Sequence, residues 1–228
     1  MKTILPLLTI FFFASCQSRV ALPKAPSEPV IFATVNTIPK AENVVFEGKT
    51  IGRSPVKLKV RSIDQLANGL TIANAPDELI EQQIRHVANN EVTVTLVLDK
   101  NLSKMAAALN LKKILVFDYG EEITFEFDKS DLKPEFKTLL VKQADLLKRH
   151  FKGIDIYICG HSDSVGRPEH NLELSMDRAK SVFYVLLDAG IPKESMKLQG
   201  FGSDYPLDDN NTETGRARNR RIEIILGR

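Results

Sequence analysis

The segment Ile154-Asp155-Ile156-Tyr157-Ile158-Cys159-Gly160-His161-Ser162-Asp163 decides the fold. Ile154, Ile156 and Ile158 alternate with Tyr157 and Cys159, so an extended chain here is apolar on both faces. Such a strand is a central one, covered on each side. The polar run Gly160 to Gly166 breaks it. A helix is expected next, from about Asn171 to Ala189. Leu172, Met176, Ala179, Val182, Phe183 and Leu186 give its buried face, and Gly190 and Pro192 stop it. Upstream, Pro134 suits the first turn of another helix, where a missing N–H costs nothing. Phe136, Leu139, Leu140, Leu147 and Phe151 fall on one stripe of it, and Gly153 ends it. Glu122 to Phe127 alternates as a strand before that helix. Lys197-Leu198-Gln199 and Arg221 to Leu226 supply later strands. The order β-α-β-α-β-β over residues 114–228 predicts an α+β two-layer sandwich with both helices on one face.

Residues 30–100 read as a small, mainly-β domain and 101–113 as a polar or weakly helical connector. Val44-Val45-Phe46 leads into a tight turn at Glu47-Gly48-Lys49. Val56-Lys57-Leu58-Lys59-Val60 alternates strictly, and Glu91 to Leu98 is rich in Val and Thr. Between these strands Asp77 to Val87 carries a helix-compatible pattern after Pro76, with Leu79, Ile80, Ile84 and Val87 apolar. The stretch Val44 to Val60 resembles the PEGA domain, a small β-sandwich of bacterial surface proteins, on Gly48-Lys49, Gly52 and Ser54-Pro55.

At the N-terminus, Lys2 precedes an apolar run from Ile4 to Phe13. The run is shorter than the roughly 20 residues a membrane-spanning helix needs and fits a secretory signal. It ends in Phe13-Ala14-Ser15-Cys16, which resembles a bacterial lipobox, with Phe13 departing from the usual aliphatic residue. That resemblance implies a signal peptide over 1–15 and acylation of Cys16. Residues 16–29, with Pro23, Pro26 and Pro29, are then a tether. Gln17 rather than Asp after the cysteine resembles an outer-membrane sorting signal. With Cys16 lipidated, Cys159 has no disulfide partner and reads as a small buried hydrophobe.

The chain of 228 residues is long enough for one large or two modest domains, and 43% hydrophobic content supports a packed core. A formal net charge of +2 gives no argument for nucleic acid or an anionic membrane.

The chemistry concentrates after the central strand. Asp163 lies on the loop leading to the second helix, and Asn171 and Arg178 are seven positions apart on that helix, hence on one side of it. A carboxylate facing a guanidinium can hold a ligand that carries both an amine and a carboxylate. The same pair also reads as a salt bridge with no ligand. Three rivals were weighed. Gly160-His161-Ser162-Asp163-Ser164 nearly matches a hydrolase nucleophile elbow, but Ser164 replaces the final glycine and the helix starts late. Cys159, His161 and His170 match no common zinc spacing, so no metal or other cofactor is expected. Arg216, Arg218, Arg220 and Arg221 form a basic run, but the run enters a strand and export argues against nucleic acid.

Gly160-His161-Ser162-Asp163 through Asn219-Arg220-Arg221-Ile222-Glu223 resembles the OmpA-like C-terminal domain, as do Phe127-Asp128 and Leu132-Lys133-Pro134-Glu135. The resemblance covers about 114–228. It implies non-covalent binding of peptidoglycan through the diaminopimelate of the stem peptide, without enzymatic activity. By the same resemblance Asp163 receives the ligand ammonium, Arg178 receives its carboxylate, and Asn171 lines the groove. Ser162 stands where the family often has threonine, and Arg220 or Arg221 lies near the ligand. The expectation is an outer-membrane lipoprotein facing the periplasm, anchored by lipid and gripping the wall. The alternative is an adaptor or scaffold subunit of an envelope or secretion complex. In that case an envelope protein is the partner of the N-terminal module, and wall binding only anchors it.

Overall fold

The chain is described by a computed structural model over residues 30–74, 76–88, 90–120, 124–125 and 129–227. The expected signal peptide, Cys16, the expected tether, Phe127-Asp128 and most of the strand expected at 122–127 lie outside the described residues. Among the described residues the chain runs β1 (Ile31–Ile38), β2 (Asn43–Phe46), β3 (Lys49–Arg53), β4 (Val56–Val60), α1 (Ile63–Gly69), β5 (Leu70–Ile72), β6 (Glu81–Ala88) and β7 (Glu91–Val97). It continues through α2 (Lys104–Ala108), β8 (Ile114–Gly120), α3 (Pro134–His150), β9 (Ile156–His161), α4 (Pro168–Asp188), β10 (Met196–Gly200), α5 (Glu213–Asn219) and β11 (Arg221–Gly227).

β9 is interior, as its two apolar faces require. It pairs in parallel with β10 and antiparallel with β11, and β11 pairs antiparallel with β8. The sheet does not stop there. β8 pairs in parallel with β6, and the order runs β10-β9-β11-β8-β6-β7-β1-β4. Strands from both expected units thus share one eight-stranded sheet, and a second sheet, β3-β2-β5, stands beside it. The core is equally continuous: Ala33, Val35, Ile84 and Val94 belong to the same buried cluster as Phe136, Leu140, Val182 and Ile224.

β6 corrects the helix expected over Asp77–Val87. Only Pro76–Glu78 forms a helical turn, and Glu81–Ala88 is extended. The segment lies between β7 and β8 and is hydrogen-bonded on both edges. That ladder outweighs the weak local preference for helix. The hairpin turn does follow its sequence signal: Glu47 and Gly48 both have positive φ, the geometry of a two-residue turn between twisted strands.

α3 and α4 cover one face of the sheet, where Ile156, Ile158, Ile222 and Ile224 point. The opposite face of β8-β11-β9 is also covered. Met105 and Ala106 of α2, inside the expected connector, pack there with Val116, Cys159 and Ile225. The connector is thus part of the core, not a spacer.

α4 begins at Pro168 and is rotated relative to the stripe read from sequence. Its buried residues are Asn171, Ser175, Arg178, Ala179, Val182 and Leu186, whereas Leu172 is 51% exposed. Close contact with the strand ends explains the rotation. A Cβ placed on Gly160 would stand 2.0 Å from the Ser175 carbonyl oxygen, and one on Gly200 would stand 2.8 Å from the Met176 nitrogen. Helix backbone rests directly on strand backbone, and only a short side chain fits between. Ser175 fills that place, donating to the Leu172 carbonyl at 2.8 Å and accepting from the Gly202 N–H at 2.9 Å.

Two outcomes follow. Gly160→Ala must push α4 off β9, so it lowers stability by about 1–3 kcal/mol, read as a fall in the midpoint of urea unfolding. The second concerns Glu81, which is buried against Ser103 on the α2 side, with their oxygens 2.5 Å apart. Burial pushes its carboxyl up to about 7, against the Ser103 hydrogen bond. The folded state therefore binds this proton more tightly than the unfolded chain. The resulting stability is full below the ordinary value near 4.5 and is lost as pH rises through about 7. Glu81→Gln, which does not titrate, gains on the wild type by on the order of 3 kcal/mol between pH 5 and pH 8.5. A constant difference in unfolding free energy across that range would count against this assignment.

Candidate functional site

The polar run after β9 is held by backbone contacts before its side chains matter. The Ser162 N–H donates to the Gly202 carbonyl at 2.7 Å, so the chain leaves β9 alongside the loop after β10. Asp163 then forms an Asx turn, its Oδ1 accepting from the Val165 N–H at 2.9 Å. Asn171, in the first turn of α4, donates to the carbonyls of Asp163 at 3.1 Å and Val165 at 2.9 Å. It is 5% exposed, and its amide clamps the loop that carries Asp163.

The second oxygen of Asp163 faces the basic run. Arg220 Nη1 donates to Asp163 Oδ2 at 2.7 Å, and Arg220 Nη2 donates to Glu213 Oε1 at 3.0 Å. Arg220 is placed by α5, a short helix that the sequence reading passed over. Thr212 caps it by accepting from the Gly215 N–H at 3.0 Å. Gly215 has no room for a side chain, because a Cβ would lie 1.9 Å from the Asp209 carbonyl oxygen. Asn219, fully buried, accepts from the N–H groups of Leu207 and Asp208 and donates to the Asp208 carbonyl and to Asn210 Oδ1. The signal for α5 was present in Thr212-Glu213, a capping residue followed by an acid in the first turn.

Arg178 is not at the mouth. It is 2% exposed, its Nε donates to the Lys129 carbonyl at 3.1 Å, and its guanidinium lies 4.9 Å from the Phe125 ring centroid. Asn171 and Arg178 do share one side of α4, as their spacing implies, but the rotation of the helix makes it the buried side. Arg221 points to the other face of the sheet. There it donates to Glu223 Oε1 at 2.9 Å and to the Tyr205 carbonyl at 3.3 Å, and it is 1% exposed. The two adjacent arginines therefore separate: Arg220 meets Asp163, and Arg221 enters the interior.

Ser162 and His161, residues of the rival readings, have other contacts. The Ser162 hydroxyl donates to the Asp163 carbonyl at 3.0 Å. His161 bonds Glu223 Oε2 at 3.2 Å and stacks on Phe201 with centroids 5.3 Å apart. Burial, with Arg221 nearby, holds the His161 imidazole below its usual value, so the ring is neutral. Burial alone would raise the Glu223 carboxyl, but Arg221 and His161 overcome it and hold the group well below the ordinary carboxylate range. Cys159 is buried. In the basic run Arg216 pairs with Glu213 at 2.6 Å and Arg218 with Asp208 at 2.7 Å, so each of the four arginines contacts an acid.

Fold and site together define an α+β domain with a charged turn presented between the end of β9 and the start of α4. The OmpA family model matches residues 124–220. The peptidoglycan-associated lipoprotein of Pseudomonas putida is 35% identical over 130 residues, covering 57% of this chain and 72% of that protein. Outer membrane protein A of Bordetella avium is 39% identical over 111 residues, 47% of this chain and 55% of that protein. Among solved structures, the peptidoglycan-associated lipoprotein from Burkholderia pseudomallei is 30% identical with a TM-score of 0.42, covering 46% of this chain and 87% of that one. The chain belongs to the OmpA family. It spans between 32% and 72% of the length of six curated relatives it matches. The family match leaves the likeness of Val44–Val60 to the PEGA domain as an expectation.

Asn219→Ala removes the clamp that positions Arg220 and leaves loop N–H groups unpaired. It lowers stability by about 2–3 kcal/mol and speeds amide exchange at Leu207 and Asp208, both measurable by hydrogen–deuterium exchange.

Proposed function

We propose that this protein is a lipid-anchored outer-membrane protein that binds peptidoglycan non-covalently at the β9–α4 turn and tethers the membrane to the wall. The observation that carries the proposal is the Asp163–Arg220 pair, 2.7 Å apart and partly exposed at the loop surface. An ionised carboxylate has about four acceptor positions, and two are engaged, by Val165 and Arg220. A ligand ammonium can take another. A carboxylate on the same ligand carbon then finds a guanidinium close by. Diaminopimelate ends its side chain in such a centre, whereas lysine offers only the amine. Membership of the OmpA family and similarity to the peptidoglycan-associated lipoprotein of Pseudomonas putida support the same reading. Ala14-Ser15-Cys16 supports the lipid anchor.

Two arginines support the carboxylate-binding role on different grounds. Arg178 has the family resemblance, and Arg220 has the contact with Asp163. A second reading, an envelope adaptor, is favoured by one observation: β1, β4, β6 and β7 lie outside the family match yet continue the same sheet.

Sedimentation with purified sacculi tests the proposal. Asp163→Asn removes the charge with little change of shape, and the loss of a charge-assisted hydrogen bond weakens binding roughly 10- to 150-fold. Diaminopimelate-type sacculi retain the wild type, and lysine-type sacculi do so far less. Arg220→Ala and Arg178→Lys, each checked for folding by circular dichroism, show which guanidinium takes the carboxylate. Equal sedimentation of Asp163→Asn and wild type defeats the site.

A further inference from the structure

Away from the β9–α4 turn, a cavity of about 660 Å³ lies at the seam between α3 and the N-terminal strands. Its walls are largely apolar, with Ile31 and Ile63 on one side and Phe136, Leu139 and Leu146 of α3 on the other. Among the polar side chains that border the same space are His86 of β6 and Gln143 of α3. Gln143 is 4% exposed. Its Oε1 accepts from the buried Tyr119 hydroxyl at 3.1 Å, and its Nε2 is buried with no hydrogen-bond partner. His86 stacks on the Tyr119 ring, centroids 5.1 Å apart and planes at 16°, and its Nε2 is likewise buried with no partner. One tyrosine thus orients two unsatisfied polar groups beside one apolar cavity. Buried polar atoms are paired in the great majority of cases, so two such atoms at one cavity call for an explanation.

The chemistry of the interior selects the ligand. Burial pushes the His86 imidazole down to about 4, so the ring is neutral at physiological pH, and Gln143 carries no charge. These groups can hydrogen-bond a neutral head but offer no countercharge to an ion, whose burial is then too costly. At the border Asp64 is already paired, with His150 at 3.1 Å and Arg149 at 3.5 Å. Glu91, Glu135 and Lys142 also border the space.

We propose that this cavity binds a small neutral amphiphile: an apolar body with one hydroxyl, carbonyl or carboxamide head. Gln143 and His86 hydrogen-bond the head, and Ile63, Phe136 and Leu139 cover the body. The site is independent of wall binding at Asp163. It joins α3, inside the family match, to strands outside it, so occupancy ties the two parts of the sheet together.

The test is photolabelling of the full chain in lipid nanodiscs with a diazirine-bearing dodecanamide, mapped by mass spectrometry. Labels are expected around Ile63, Phe136 and Leu139. Unmodified dodecanamide competes, and dodecanoate at pH 7.5 competes at least tenfold less well. Gln143→Leu keeps the shape and reduces labelling about three- to tenfold, the scale of one neutral hydrogen bond. Leu139→Trp fills the cavity and abolishes labelling, and Val141→Ala on the outer side of α3 leaves it unchanged. Thermal melts confirm that each variant is folded, and Gln143→Leu alone decides the matter if Leu139→Trp is not. Labels spread evenly along the chain, equal competition by dodecanoate, or wild-type labelling of folded Gln143→Leu would each overturn the proposal.

Discussion

The rest of the structure depends on the contact of helix backbone with strand backbone at Gly160 and Ser175. It brings α4 down onto β9 and β10 with only the short Ser175 side chain between them. Once the axes are that close, the face of α4 toward the sheet must carry short or fully satisfied groups in its first half. Asn171 and Ser175 meet that demand by bonding loop and helix carbonyls, and Ser175 also accepts a loop N–H. The loop carrying Asp163 is thereby pinned from below, and a charged side chain ends in a defined place at a surface.

A second constraint runs along the opposite face. Glu223, Asp118 and Arg85 lie in register across β11, β8 and β6, and Arg221, two positions before Glu223 on β11, lies opposite His161 of β9. Two carboxylates and two guanidiniums thus share this face, and desolvation makes such charges costly unless each is paired. Arg221 with Glu223 and Arg85 with Asp118 supply the pairing. This row also crosses the seam between the family domain and the strands before it. Polar pairing joins the two parts of the sheet on one face, as the shared apolar core does on the other.

Much of this was legible. Central β9, the start of α3 at Pro134, the stop of α4 near Gly190 and the turn at Glu47-Gly48 follow from alternation, helical periodicity, proline and glycine, which act locally. Asp163 and Asn171 stood out because polar residues clustered where no core needed them. The failures share one cause. The strand β6 reads as helix because its ladder partners are distant in sequence. The stripe on α4 reads one way from hydrophobicity and another once Gly160 sets the approach. Arg178 is buried for the same reason, since burial is a property of packing.

The amino-acid sequence by itself determined the α+β character, the two long helices of the second half and the polar turn after β9. It did so because side-chain period, proline and glycine act within a few residues. Only the tertiary structure decided that the chain shares one sheet from β10 to β4. It also decided that Arg220, fifty-seven positions away, meets Asp163 while Arg221 does not. These outcomes rest on strand register and on the distance between α4 and β9, and neither is encoded in any local run of residues.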